Sequence, residues 1–140
     1  VASMRRILIA THEKYAEGIK AAAELILGPH PEIETICAFT EDIALDRQLE
    51  IYFKHCNAED EVIILTDVYG GSVNQACMNY VSRPNTHLIT GMNLALVLQI
   101  IMMEEKEGSE AFGAMIEEAR MQIVYVNEVM KGGIKDDFED

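Results

Sequence analysis

Cysteines, basic residues and long apolar runs are scarce in this 140-residue sequence, and each scarcity excludes a class of protein. The three cysteines (Cys37, Cys56, Cys77) are widely spaced and form no CxxC pair, which argues against a disulfide framework or a zinc site and indicates reduced thiols in a cytoplasmic protein. Eleven Lys and Arg against 24 Asp and Glu give a net charge of −13, which disfavours nucleic acid and anionic membranes as partners. The longest apolar run, residues 94–103, contains Gln99 and is too short to span a bilayer.

Motifs that bind nucleotides or metals are also missing from the sequence. It has no Walker A lysine motif, no set of protein-kinase loops, and no HExxH or other ligand cluster. We therefore expect no metal and no cofactor. Nothing in the sequence predicts bound ATP. If the protein carries a phosphoryl group, we therefore expect another protein to donate it.

The residues that are present alternate between strand-like and helix-like segments, without a linker or an internal repeat. The length suits one domain, expected at residues 4–131, with residues 1–3 interpreted as a cloning remnant and residues 132–140 as an acidic tail. The predicted strands are 6–11, 34–39, 61–67 and 87–90, and the predicted helices are 15–27, 42–56, 73–81, 94–103 and 110–121.

This alternation predicts an α/β fold, a three-layer sandwich in which a mostly parallel central sheet carries helices on both faces. The β-prone run 122–126 departs from the pattern because it follows a helix, and it predicts a C-terminal edge strand. An exposed sheet edge is either covered or pairs with another chain. The run therefore has two interpretations of equal weight, as the last strand of its own sheet or as a strand exchanged within a dimer.

Two polar side chains follow strands at the place where parallel sheets bind ligands. His12 stands at the exit of the first strand and Asp67 at the exit of the third. Loops at the carboxyl ends of the strands form the ligand crevice, so we expect these two residues to meet there. A carboxylate beside one imidazole nitrogen leaves the other nitrogen unprotonated, which suits nucleophilic attack, base catalysis or metal ligation.

The segment Gly70-Gly71-Ser72 predicts an anion site beside this pair. Glycines let backbone N–H groups turn inward, the following helix adds its positive end, and Ser72 adds a hydroxyl, which together can hold phosphate. Taken alone, the segment is explained more simply as a turn and a helix N-cap. Taken with His12 and Asp67, it indicates a phosphoryl group carried on the histidine.

These motifs together resemble the IIA component of the mannose-type (mannose, fructose and sorbose) bacterial sugar phosphotransferase system. The resemblance extends in order over residues 4–131. It rests on Ile7-Leu-Ile-Ala-Thr-His12, Ala16-Glu17-Gly18, Thr66-Asp67, Gly70-Gly71-Ser72 and Gly91-Met92-Asn93.

The resemblance implies a phosphotransferase in which His12 accepts phosphate from phospho-HPr and passes it to the IIB component. It also implies a cytoplasmic homodimer that exchanges an antiparallel C-terminal edge strand at residues 122–126. The protein would reach the membrane only through the IIC and IID components. By the same resemblance Asp67 orients His12, and the phosphate-binding residues are Thr11, Gly70, Gly71, Ser72 and Asn93.

Three loop residues depart from the family pattern, and three alternative functions stay open. Tyr69 replaces a common Trp, and Val73 and Leu94 replace common prolines, which affects loop stiffness but spares the histidine and the aspartate. The alternatives are a related domain that feeds dihydroxyacetone kinase, a flavodoxin-like cofactor module and a regulatory binding module. The Gly-Gly-Ser loop favours the sugar system over the first, and an acid and a bulky ring in residues 11–15 disfavour the second.

Overall fold

The computed structural model describes residues 4–104 and 108–132, in which strands and helices alternate as far as α4. The strands are β1 (Arg5–His12), β2 (Ile33–Ala38), β3 (Glu61–Thr66) and β4 (Thr86–Thr90). The helices are α1 (Tyr15–Leu27), α2 (Leu45–Lys54), α3 (Ser72–Cys77, continued by a 3-10 turn at Met78–Tyr80), α4 (Leu94–Met102), α5 (Ser109–Arg120) and α6 (Val126–Gly132).

The four strands form one parallel sheet in the order β2-β1-β3-β4. The chain places β2 on one side of β1 and then places β3 and β4 on the other side. The order in which strands are added therefore reverses between β1 and β3. In open parallel sheets, ligands bind at the carboxyl ends of the strands that flank this point. The fold itself thus directs attention to the residues that follow β1 and β3.

Successive residues of each strand face opposite sides of the sheet, and both sides are covered. Ile7 and Ile9 of β1 pack in a core with α1, α4 and α5. Leu8 and Ala10 pack in a second core with α2 and α3. The predicted three-layer α/β sandwich is confirmed, and continuous apolar runs form its central strands because both of their faces are buried.

Most predicted boundaries are confirmed, and the differences lie at helix ends. α1 ends where predicted because Gly28 adopts a φ of 86° and donates its N–H to the Glu24 carbonyl at 2.8 Å. α2 is shorter at both ends than the predicted 42–56. α3 ends at Cys77, before the predicted residue 81, because the chain tightens there into the 3-10 turn.

The predicted strand at residues 122–126 is wrong for the single chain. The N–H groups of Gln122 and Ile123 donate to carbonyls at the end of α5, and Val126 begins α6, which was not predicted. Among the residues that the structure describes, no strand pairs with the outer edge of β4, so the segment leaves that edge open in the single chain. Exchange of this segment between two subunits stays a prediction.

At the opposite end of the sheet from the strand exits, a buried carboxylate ties three segments together. Asp60 accepts hydrogen bonds from the Met4 N–H (3.0 Å), the Asn57 N–H (2.9 Å) and Nε of Arg6 (2.8 Å). Burial raises the pKa of the Asp60 carboxyl, but these hydrogen bonds and the Arg6 charge lower it by more, so its pKa lies below the ordinary value. The carboxylate is therefore ionised in the folded protein at neutral pH.

Candidate active site

His12 and Asp67 meet where the sequence predicted. His12 is the last residue of β1, Asp67 directly follows β3, and the two strands are neighbours in the sheet. The His12 backbone N–H donates to Oδ2 of Asp67 at 3.0 Å, and ring Nδ1 of His12 lies 3.0 Å from the same oxygen. The imidazole is 41% exposed and the carboxylate 9%, so an accessible ring is held by a nearly buried acid.

The Asp67 carboxylate sets the proton position on the His12 ring. Burial raises the pKa of Asp67, but hydrogen bonds from the backbone and ring of His12 lower it by more, so its pKa lies below the ordinary value. An ionised carboxylate only accepts hydrogen bonds, so Nδ1 carries the proton and donates it to Oδ2. The lone pair of Nε2 is then free on the exposed side of the ring, which is the arrangement of a nucleophile or a base.

The loop from Asp67 to Ser72 follows the nitrogen-bearing edge of the imidazole. Asp67 holds Nδ1, a Cβ added at Gly71 would lie 3.3 Å from Cε1, and the Ser72 hydroxyl lies 3.5 Å from Nε2. Gly71 therefore allows the backbone to approach the ring closely. Gly70 adopts a φ of 82°, which glycine tolerates, and its carbonyl accepts a hydrogen bond from Nε2 of Gln75 at 3.0 Å.

Thr11 and Asn93 do not reach the imidazole edge, and the structure places their side chains in structural contacts. The Thr11 hydroxyl is buried, accepts the Ala16 N–H at 2.8 Å and so holds the start of α1. The Asn93 carboxamide accepts the Leu96 N–H at 2.9 Å as the N-cap of α4, and it donates to the Ala119 carbonyl at 2.8 Å. Neither side chain has a hydrogen bond to His12, and their predicted phosphate contacts stay predictions.

One neighbour of the ring was missed by sequence reasoning. Phe39 follows β2, and its ring centroid lies 5.6 Å from that of His12 with an interplanar angle of 44°. This centroid distance lies in the range of aromatic rings that are in contact. The sequence signal that predicted His12 was its position directly after a parallel strand. The same signal applies to Phe39, because β2 is the other neighbour of β1 and ends at the same edge of the sheet.

The other histidines have structural partners. Nδ1 of His30 lies 2.9 Å from Oε2 of Glu32, Nδ1 of His55 lies 2.8 Å from the Ile51 carbonyl, and the His87 ring packs on Phe112. Within residues 4–104 and 108–132, no group of three or more His, Cys, Asp or Glu side chains could hold a metal ion. No helix in that part of the chain is long and apolar enough to cross a bilayer.

The chain is similar to a known protein family and to several solved structures. The sequence matches the family described as EIIA-man, the PTS system fructose IIA component, over residues 6–118. A protein from Klebsiella pneumoniae assigned as a phosphoenolpyruvate-dependent sugar phosphotransferase system permease is 33% identical, with a TM-score of 0.86, over 91% of this chain and 95% of that chain. The PTS IIA protein associated with the fucose utilization operon of Streptococcus pneumoniae is 26% identical, with a TM-score of 0.74, over 93% and 99%.

A more distant structure shares the fold. The mannose/sorbose-specific IIA subunit from Enterococcus faecalis is 17% identical, with a TM-score of 0.77, over 86% of this chain and 93% of that chain. The family match covers most of the residues, from the middle of β1 to α5. The chain therefore belongs to the EIIA-man family of phosphotransferase-system IIA components.

Proposed function

We propose that this protein is a phosphoryl carrier that accepts phosphate from phospho-HPr on Nε2 of His12 and passes it to a IIB component. One observation carries the proposal: Asp67 holds Nδ1 of His12, while Nε2 faces outward beside the Ser72 hydroxyl. Family membership supports the phosphotransferase role. The proposal places the protein in the bacterial cytoplasm, with the membrane reached only through IIC and IID components.

Each transfer exchanges one phosphorus–nitrogen bond for another. The Nε2 lone pair of His12 attacks the phosphorus of the donor phosphohistidine, the new Nε2–P bond forms, and the donor's N–P bond breaks. Such transition states are loose, so positioning and charge stabilisation contribute most of the catalysis. Bond formation makes the His12 ring cationic, and the Asp67 carboxylate at 3.0 Å from Nδ1 stabilises that charge.

The glycine-serine loop is suited to the phosphoryl oxygens. Ser72 begins α3, and the first N–H groups of a helix have no partner within the helix. Its hydroxyl lies 3.5 Å from Nε2 of His12. We expect Ser72 to donate to a phosphoryl oxygen, and Gly71 to leave the space that such an oxygen needs beside the ring.

We also propose a homodimer in which residues 122–126 of each copy pair with the outer edge of β4 in the other. Ile123 is 82% exposed and Tyr125 67% exposed in the single chain, although both are apolar. A groove of about 420 Å³ runs beside β4, between it and the ends of α4 and α5. Thr90 lines that groove, and its buried hydroxyl has no hydrogen-bond partner among the described residues.

The dimer is tested by measuring molar mass with light scattering over a range of concentrations. We expect wild type to have twice the mass of one chain and Ile123→Lys to be shifted to the monomer, because a lysine cannot be buried at the edge of β4 without a partner. Leu25→Lys is the matched control, since Leu25 is an exposed apolar residue of α1. A wild-type protein that stays monomeric throughout contradicts the proposed dimer.

The carrier function is tested by intact mass after incubation with phosphoenolpyruvate, enzyme I and HPr. Wild type should gain the mass of one acid-labile phosphate, and His12→Ala should gain none. His55→Ala is the matched control because His55 lies at the end of α2, with its ring bonded to the backbone. No gain in wild type, with active HPr present, overturns the proposal.

A further inference from the structure

Phe39 holds an unfavourable backbone conformation beside the reactive ring. Its φ is 69°, in the left-handed region that a bulky side chain rarely adopts. Its side chain is 59% exposed, so burial of the ring in a core does not explain why the strained conformation is kept. Strained residues that persist in folded proteins cluster at functional sites. Phe39 is therefore a candidate for a role at His12.

The strained conformation is locked to the end of β1. The Glu13 N–H donates to the carbonyl of Ala38 at 3.1 Å, and the Thr40 hydroxyl donates to the carbonyl of Cys37 at 2.7 Å. Glu13 itself has a φ of 52°. The residues that directly follow β1 and β2 are thus both left-handed, and one hydrogen bond joins the two turns. This arrangement fixes the position of Phe39 relative to His12.

The ring of Phe39 completes the surroundings of the imidazole. The loop from Asp67 to Ser72 contacts the nitrogen-bearing edge of the ring, from Nδ1 round to Nε2. Phe39 approaches from the other side of β1, at 5.6 Å between centroids. A single hydrogen bond at Nδ1 leaves the imidazole free to tilt by small rotations of its side-chain torsion angles. A neighbouring aromatic ring limits this tilting by steric contact.

We propose that Phe39 is a positioning residue that holds the plane of the His12 ring, so that Nε2 keeps one direction towards an incoming phosphorus. The inference rests on the proposed phosphocarrier function, and it assigns Phe39 an action on His12 rather than on the partner protein. In-line transfer requires the lone pair to point at phosphorus, so a ring free to tilt spends less time in the reactive orientation. Phe39 itself touches no reacting atom.

A small phosphoryl donor separates positioning from docking. Phosphoramidate transfers its phosphoryl group to imidazole without any protein partner: the Nε2–P bond forms as the P–N bond to ammonia breaks. The rate of phosphate gain on His12 is measured by intact mass for wild type, Phe39→Ala and Phe39→Tyr. His12→Ala gives the background, and Leu25→Ala is the control for loss of an exposed apolar side chain. The same variants are then measured with phospho-HPr.

We expect Phe39→Ala to slow phosphorylation by about tenfold with both donors, because a misdirected reactive group costs rate whatever the donor. Phe39→Tyr should keep most of the rate because it keeps the ring. Phe39→Leu, which keeps apolar bulk but no ring, replaces the alanine variant should that variant not fold. Melting temperatures of all variants establish that each rate belongs to folded protein.

The other outcomes are distinct. A loss confined to phospho-HPr makes Phe39 a partner contact and overturns the inference, as does an unchanged rate with both donors. Phosphorylation of wild type by phosphoramidate but not by phospho-HPr overturns the proposed function, while a phosphoramidate loss in Phe39→Ala still supports the positioning role.

A spectroscopic readout reports the ring directly. Nitrogen-15 spectra of the His12 imidazole should show one Nδ1–H form in wild type, as the bond to Asp67 requires. In Phe39→Ala the Nδ1–H signal should broaden or share intensity with the other tautomer. An unchanged spectrum beside a reduced rate contradicts positioning through the ring.

Discussion

Replacing Asp67 by Asn tests the organisation of the site most sharply, because three N–H donors surround its two oxygens. Oδ2 accepts the backbone N–H and ring Nδ1–H of His12, and Oδ1 accepts the Val68 N–H at 3.1 Å. Asparagine has the same shape but one acceptor oxygen and an NH₂ donor group. In one orientation its NH₂ faces Val68, and in the other it faces His12. Either way a donor meets a donor.

The expected magnitude follows from the loss of a charged acceptor. A hydrogen bond to a charged group contributes about 1.5–3 kcal/mol, which corresponds to a rate loss of roughly ten- to hundredfold if it is felt in the transition state. When the NH₂ group faces Nδ1, the ring is driven to the tautomer that carries its proton on Nε2, and that nitrogen cannot attack phosphorus. Asp67→Asn should therefore be slower than Asp67→Ala, in which water can replace the lost acceptor.

Rapid-quench transfer from labelled phospho-HPr measures the rate, and nitrogen-15 spectra report the tautomer. Thermal melts at neutral pH should show both variants folded, since the ring side of the site is exposed. Transfer by Asp67→Asn at the wild-type rate, with the proton still on Nδ1, would refute the claim that the carboxylate sets the ring for reaction.

Two further predictions concern the glycines and the acid stability. A Cβ at Gly71 would lie 3.3 Å from both Cε1 of His12 and the Val68 carbonyl, whereas a Cβ at Gly70 meets nothing within 4 Å but requires a φ of 82°. Gly71→Ala should therefore slow phosphoryl transfer with little change in melting temperature. Gly70→Ala should lower the free energy of unfolding by about 1 kcal/mol and affect the transfer rate less. The reverse pattern would contradict these separate roles of the two glycines. Asp60→Ala should destabilise the fold by about 2–3 kcal/mol at neutral pH because it leaves the Met4 and Asn57 N–H groups and Nε of Arg6 without their acceptor. The folded-state pKa of Asp60 lies below its unfolded value of about 3.9, so its contribution is present above that pH and is lost as pH falls through the folded-state pKa. Urea unfolding at pH 7 and at pH 3 should thus show a smaller gap between variant and wild type in acid.

The sheet and the central pair could be predicted because they follow from burial. Continuous apolar runs such as Ile7-Leu8-Ile9 fit only strands covered on both faces, and parallel strands bring their carboxyl ends to one edge. His12 and Asp67 follow adjacent strands at that edge. The proximity of His12 and Asp67 could therefore be predicted without any detail of side-chain geometry.

Thr11 shows where the reasoning from sequence stopped short. Successive side chains of a strand point to opposite faces, so Thr11 and His12 cannot both face one site. Thr11 lies on the α1 side, where its hydroxyl accepts the Ala16 N–H, and His12 lies on the side of Ser72. Sequence proximity placed both residues in the site, whereas strand alternation separates them. The Asn93 side chain caps α4, because short polar side chains at helix starts bond to backbone N–H groups. Its predicted contact with phosphate stays a prediction.

Two other features depend on contacts that sequence patterns do not contain. The left-handed backbone of Phe39 is held by the turns that follow β1 and β2, against the preference of a bulky residue. The β-prone residues 122–126 pair with no strand of the described chain and form a turn and the start of α6 instead. Tertiary contacts thus override local preference at Phe39, whereas at residues 122–126 the local preference for a strand is not realised in the single chain.

The distances around His12 divide into strong contacts that hold the ring and weak contacts that face the phosphoryl group. Asp67 takes the backbone and ring N–H groups at 3.0 Å, whereas the Ser72 hydroxyl stands 3.5 Å from Nε2. A carrier must bind its phosphoryl group reversibly, since tight contacts to the phosphohistidine would lower its transfer potential. Strong contacts at Nδ1 act on the ring in both the free and the phosphorylated protein: they orient the nucleophile and stabilise the cationic ring, and they make no contact with the phosphoryl oxygens. For the proposed carrier, this division explains how the site can be rigid at the histidine and still release a phosphoryl group.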